Sequence, residues 1–200
     1  MFLDKKNILA QIEARPKVVL ELGVGRTRTV KDAITIDKLD FPEVDIVADL
    51  EQGLPFLPDN SVDEVHSFHF LEHVNNLEFL MAEIYRVLKK GGKNIGAVPH
   101  FANPYFYSDY THKAYFGLYS FSYFSKQRYF RREVPDFYNS TNYKINKIRL
   151  DFLSPFRVRN RLKRIIGAFF NSSRFLQEFH EENLCYILPA YQIRFELEKV

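Results

Sequence analysis

Two glycines two positions apart, Gly23 and Gly25, follow the apolar run Val18–Leu22, with Glu21 just ahead of them. Glycine there lets the backbone turn sharply and lets a ligand approach main-chain N–H groups with no Cβ in the way. Glu21 could hold a cationic or hydroxyl-bearing ligand group. A Gly-x-Gly turn also suits a plain strand-to-loop junction. Carboxylates end two further apolar runs, Asp37 after Ala33-Ile-Thr-Ile and Asp49 after Val44-Asp-Ile-Val-Ala. Ser67, His69 and His73 follow a fourth run, and His100 a fifth. Asp109 and His112 stand three apart in an aromatic, polar stretch. His100, Asp109 or His112 could take a proton from a substrate, one orienting another. The same residues could equally steady a loop through side-chain hydrogen bonds to backbone. His66 reads as structural, and His180 as a surface residue on a helix. The His/Asp spacing singles out no metal site, so none is predicted.

The elements that must position these residues are legible as periodicities. Asp4 suits the cap of a first helix, roughly Lys5 to Ala14, which Pro16 ends. Strands are expected at Val18–Leu22, Ala33–Asp37, Val44–Asp49, Val62–Ser67 and Lys93–Val98. Leu77, Leu80, Met81, Ile84, Tyr85 and Leu88 make a helical stripe over about Asn76 to Lys90, stopped by Gly91-Gly92. Such alternation implies a mainly parallel, doubly wound sheet, whose ligands sit beyond the strands' carboxyl ends. Gly23, Asp37, Asp49, Ser67 and His100 would then line one crevice. The first two crossovers are shorter than the dozen or so residues a parallel connection needs, so their helices should be reduced to single turns.

The second half is basic and aromatic. From Lys126 to Arg174 there are thirteen Lys or Arg against three acids, although the whole chain carries only +3. This asymmetry suggests an anionic partner or surface. Lys144–Phe152 and Tyr191–Glu198 alternate polar and apolar residues and should close the sheet as an antiparallel pair. Between them Val158, Leu162, Ile165, Ile166 and Phe169 form one apolar stripe surrounded by Arg157, Arg159, Arg161, Lys163 and Arg164. Three readings stand for this helix: packing its stripe on the sheet, lying on an anionic membrane, or lining a nucleic-acid groove. Two hundred residues suit one domain, with 1–124 as ligand-binding core and insert, and 125–200 as an elaboration completing the sheet. The lone Cys185 lies in an apolar run and reads as a buried, inert thiol. The first residues lack the apolar core of a signal peptide and no run reaches spanning length, so a cytoplasmic location is expected.

Taken together, Glu21-Leu-Gly-Val-Gly25, the acids ending the second and third strands, Leu54-Pro-Phe…Pro-Asp-Asn-Ser-Val-Asp-Glu-Val65, Leu71-Glu-His73 and Arg86-Val-Leu-Lys-Lys-Gly-Gly92 resemble the class I S-adenosylmethionine-dependent methyltransferases. The nearest likeness is to compact bacterial and archaeal methyltransferase-domain proteins often linked to cell-surface saccharide synthesis. The resemblance covers about Val18 to Phe124. It implies a Rossmann-like fold with S-adenosylmethionine as cofactor. It implies that Gly23 and Gly25 pass under the methionine part, Asp37 accepts from the ribose hydroxyls, and Asp49 accepts from the adenine amino group. The Leu50 N–H would reach a ring nitrogen, and Ser67 to His69 would border the sulfonium. Thr27 stands where the family has a third glycine, which marks a variant first loop.

The resemblance implies methyl transfer to a small-molecule or saccharide hydroxyl, with His112, Asp109 and His100 on the acceptor side. A nucleic-acid methyltransferase, or a non-catalytic partner protein that kept the fold, are the alternatives. An anionic membrane surface is the further expected partner, with nucleic acid behind it.

Overall fold

The computed structural model describes residues 2–200, with the side chain of Glu13 left aside. Its centre is one eight-stranded sheet in the spatial order β1-β4-β3-β2-β5-β6-β8-β7. The strands are β1 (Phe2–Asp4), β2 (Val19–Leu22), β3 (Ile34–Asp37), β4 (Ile46–Ala48), β5 (Val62–Phe68), β6 (Leu88–Pro99), β7 (Tyr143–Asp151) and β8 (Gln192–Lys199). Strands β2 to β6 run parallel, while β1, β8 and β7 each pair antiparallel with a neighbour. The doubly wound, mainly parallel sheet with its antiparallel closing pair is the architecture expected from the sequence.

Burial follows the pattern. Leu20, Leu22, Ile34, Ile36, Ile46 and Val65 are almost wholly buried, as are Leu80, Met81, Ile84 and Val87 of helix α1 (Leu77–Val87). Each such side chain contributes about 1.5–3 kcal/mol through the water it leaves. Ile193, Phe195 and Leu197 alternate inward along β8, and the Phe121 ring packs 4.2 Å from that of Phe195.

The first crossovers depart from expectation. Between β2 and β3, and between β3 and β4, the chain makes only turns and bends, without even a single-turn helix. Side chains fix these connections instead. Glu21 is buried and accepts from the main-chain N–H of Thr29 and Val30. Arg28 donates to the Ala33 carbonyl and to buried Asp45, which also takes Lys6 and the Thr35 N–H.

The expected first helix is replaced by β1 and a 3₁₀ turn at Leu9–Ala14. Asp4 ends the strand and still caps the turn, accepting from Ile8 N at 2.9 Å and Leu9 N at 2.8 Å. Helix α1 stops at Val87, three residues short of expectation. The Asn60 and Ser61 N–H groups take the carbonyls of Arg86 and Val87, and β6 begins at once. Arg86 donates to Leu54 O, Leu57 O, Glu83 and Asp59, so the Leu54–Ser61 turn is locked to the end of α1.

The carboxyl-terminal part adds α2 (Arg157–Phe170) and α3 (Arg174–Asn183). Of α2's stripe only Ile166 packs on the core, and the rest departs from expectation. Val158, Leu162, Ile165 and Phe169 are 58–75% exposed, while Gly167 and Phe170 face inward against Phe152. His180 likewise proves to be buried, between the rings of Phe152 and Phe170, with Nε2 donating to the Leu188 carbonyl. Cys185 is buried as expected, and burial raises its thiol pKa. No helix among the described residues is long and apolar enough to cross a membrane.

Candidate functional site

Strand register brings the expected ligand residues to one end of the sheet. Leu22 lies opposite both Ile36 and Ser67, and Phe68 opposite Ala97. Gly23, Asp37, His69 and His100 therefore all leave the sheet at the carboxyl ends of adjacent parallel strands. Asp49 lies two residues beyond Val47, the partner of Asp37.

Within this crevice the side chains divide in two. Gly23 and Gly25 both have φ near +60°, where a Cβ is strained. The Phe70 ring lies where a Cβ on Gly23 would stand, whereas nothing lies within 4 Å of that point at Gly25. The Gly25 N–H donates to Asp37 Oδ2 at 2.9 Å, and the Leu39 N–H to Oδ1 at 2.9 Å. Each oxygen keeps a further lone pair for a ligand hydroxyl. Asp49 is exposed and caps the 3₁₀ turn at Leu50–Gln52 by accepting from the Glu51 N–H, while the Leu50 side chain is buried. Glu21, spent on the loop backbone, positions the turn and does not face a ligand. Ser67 is wholly buried and its hydroxyl has no partner.

The second group stands after β5. His69 has φ +53°, its Nε2 lies 2.9 Å from Gln192 Oε1, and its Nδ1 is 3.4 Å from Glu72 Oε1. The hydrogen bond that the ring donates to that carboxylate raises the His69 pKa above its ordinary value. The insert folds back onto this segment, because the N–H groups of Lys113 and Ala114 both donate to the Glu72 carbonyl. Asp109 and His112 thereby meet, with His112 Nε2 3.6 Å from Asp109 Oδ2, and the His112 ring stands 5.0 Å from that of His73. Thr111 joins the two ends: its hydroxyl donates to Asp109 Oδ1 at 2.6 Å and takes the Nδ1–H of His73 at 3.0 Å. Hydrogen bonds from the Thr111 hydroxyl and N–H hold the Asp109 pKa below the usual carboxylate value.

His100 does not join them. It is fully buried, its Nε2 lies 2.8 Å from Glu181 Oε2 on α3, and its Nδ1 accepts from the Ala102 N–H at 3.1 Å. With both ring nitrogens taken, it has no lone pair for a substrate proton, and the proton-acceptor expectation for His100 gives way to a structural role. Glu72 is the residue that sequence reasoning passed over. Its signal was present, since Glu72 and His73 stand three and four positions after His69 across one turn. A cavity of about 780 Å³ beside Phe101, Tyr119, Phe175 and Cys185 lies on the α3 side; Glu181 lines it, and Asp37, Asp49, Glu72 and His112 do not.

The family described as "Methyltransferase domain" matches residues 20–95. A ubiquinone/menaquinone biosynthesis C-methyltransferase from Brucella canis is 42% identical over 72 residues, 36% of this chain. The match spans only 24% of that protein's length. A SAM-dependent methyltransferase from Archaeoglobus fulgidus superposes with TM-score 0.53 at 15% identity, covering 97% of this chain and 90% of the other. A geranyl diphosphate C-methyltransferase from Streptomyces coelicolor, solved with Mg²⁺, geranyl diphosphate and S-adenosylhomocysteine, gives TM-score 0.54 at 11% identity, covering 97% and 76%. The structural likenesses show that the fold is shared.

Proposed function

We propose that this chain, a class I S-adenosylmethionine-dependent methyltransferase by its matched domain and its fold, transfers a methyl group to a hydroxyl of a small-molecule or saccharide acceptor. The observation that carries the reading is the convergence of Gly25, Asp37 and Asp49 at adjacent strand ends, beside the Glu72–His112 cluster. The open space at Gly25 and the unpartnered Ser67 hydroxyl fit the cofactor, leaving room and an unused polar atom where it would lie.

S-adenosylmethionine, when bound, supplies a methyl carbon on a cationic sulfur; transfer forms the acceptor O–C bond, breaks C–S and leaves the electron pair on the thioether. The chain's own residues do the rest. Gly25 lets the backbone come close, Asp37 orients a vicinal diol, and Asp49 offers an acceptor to an amino group. Asp109, the exposed member of the Asp109–His112 pair, receives the acceptor's proton, and His112 orients it. Positioning supplies much of the rate in such a displacement. Among the relatives is a protein named for C-methylation, so an acceptor carbon is the competing outcome of an acceptor screen.

The acceptor's surroundings support a membrane-surface partner. Helix α2 has five basic residues and no acid, and its apolar stripe faces outward. Arg159, Lys163 and Phe156 share a small cavity with Tyr105 and Tyr191, and the Tyr191 ring is 6.4 Å from that of His69. Exposed Tyr105 adds to the same side an amphipathic ring suited to a headgroup layer. An anionic leaflet bearing the acceptor matches this combination of apolar stripe and positive flanks.

The deciding experiment is calorimetric titration with S-adenosylhomocysteine. Micromolar binding by the wild type, lost in Asp37→Ala, is expected. No binding by the wild type, or equal binding by the variant, would overturn the reading.

A further inference from the structure

A proton-accepting Asp–His pair leaves part of the acceptor-side cluster unexplained. Glu72 is 1% exposed, yet its Oε2 has no hydrogen-bond partner. The Nδ1 of His112 is also buried and unpartnered. A buried carboxylate oxygen without a partner is destabilising, so the site is built for something that satisfies it.

The hydrogen bonding fixes which atoms face inward. Because the Thr111 hydroxyl spends its proton on Asp109, it must accept from His73, whose Nδ1 therefore carries the hydrogen and whose Nε2 keeps a lone pair. His112 turns Nε2 toward Asp109, leaving Nδ1 as its free lone pair. One ligand atom each from Glu72, His73 and His112 lie within 4.8 Å of one another.

We propose that Glu72, His73 and His112 bind a single divalent transition-metal ion, such as zinc, on the acceptor side of the crevice. Two imidazoles and one carboxylate are a donor set for zinc and for open divalent sites, which keep a position for an exogenous oxygen. The outer contacts follow the same logic: Thr111, itself held by Asp109, orients His73 by accepting its other ring N–H, and Asp109 faces the other nitrogen of His112. An ion held at about 2.1 Å from each ligand would draw the three atoms to about 3.5 Å apart, a small inward movement of side chains. The two main-chain bonds from Lys113 and Ala114 to the Glu72 carbonyl hold the insert against the Glu72 segment. The ion's role, placing and acidifying an acceptor oxygen in its open position, rests on the methyl-transfer reading. The ion site itself does not.

The test uses the full chain, stripped with a chelator and titrated with Zn²⁺ by calorimetry. Co²⁺ serves as the spectroscopic probe through its visible ligand-field absorption. One ion per chain is expected. His112→Ala should weaken binding well beyond tenfold, and Thr111→Val by about tenfold, the usual effect of an outer contact. His66→Ala should leave it unchanged. Glu72→Gln gives the same loss where circular dichroism shows that it folds; His112→Ala, on the insert, decides the matter in either case. Absence of stoichiometric binding, or wild-type affinity in His112→Ala, would overturn the proposal. Asp37→Ala must bind zinc normally, so failure of the cofactor reading and failure of the ion site are separable.

Discussion

The main-chain N–H of Gly25 lies 2.9 Å from the Asp37 carboxylate, so the glycine turn and the end of β3 form one unit. Removing the carboxylate should loosen the turn as well as delete an acceptor for the cofactor's hydroxyls. Asp37→Asn keeps one acceptor oxygen and should lose about tenfold in S-adenosylhomocysteine affinity, the loss expected from one charge-assisted bond. Asp37→Ala should lose more. Indistinguishable affinities for the two variants would mean that Asp37 acts only by holding the loop.

Gly23 and Gly25 share a backbone conformation but not an environment. Gly25→Ala should cost about 1–2 kcal/mol of stability from strain alone. Gly23→Ala adds overlap with the Phe70 ring, worth about a further 1–3 kcal/mol. Urea unfolding of both variants, and of Gly23→Ala combined with Phe70→Ala, measures the difference. The second substitution removes the ring but leaves the Phe70 Cβ 2.7 Å from that point, so it should recover only part of the excess, and equal costs at the two glycines would show that Phe70 does not rest there.

Asp45 should dominate the acid limb of stability around the first loop. Burial pushes its pKa up, but Lys6, the Thr35 N–H and Arg28 outweigh this and leave it below the ordinary value. A depressed carboxylate contributes stability above its unfolded value, near pH 4, and loses it as pH falls through the lower folded value. Asp45→Asn should therefore destabilise at neutral pH and flatten the loss between pH 4 and the folded value. A variant whose thermal midpoint tracks the wild type at pH 7 would remove Asp45 from this role.

Replacing Arg161, Lys163 and Arg164 by Ser should abolish pelleting with anionic vesicles, since each juxtamembrane charge is worth about 1 kcal/mol. Leu162→Ser with Ile165→Ser should weaken the same binding at constant charge. Wild-type protein that sediments equally with neutral vesicles would sink the electrostatic part of the idea.

Much of this was readable in the chain. Apolar runs mark the parallel strands and alternating runs the closing pair, and the terminal acids mark the crevice, because a parallel sheet turns such spacing into proximity. What was not readable depends on partners distant in sequence. The end of α1 lies where Asn60 and Ser61 take its carbonyls, not where Gly91-Gly92 stand. His100 lost its free nitrogens to Ala102 and to Glu181, a residue on α3. The α2 stripe could be seen in sequence, but a stripe does not say which way it faces. Glu72 needed the insert folded over it before its unpartnered oxygen became visible.

Strand β1, only three residues long, lies antiparallel along β4 at the margin of the sheet. Without it, β4 would present a row of unpaired peptide groups to any other extended chain, the template from which aggregation starts. The covering strand is too short to pass the hazard on, and the Lys5 and Lys6 that follow it tie it to the sheet through Asp40 and Asp45. The same segment that anchors the helix-free loops through Lys6 and Asp45 thus also guards against self-association during folding, when parallel strands are slow to find their partners.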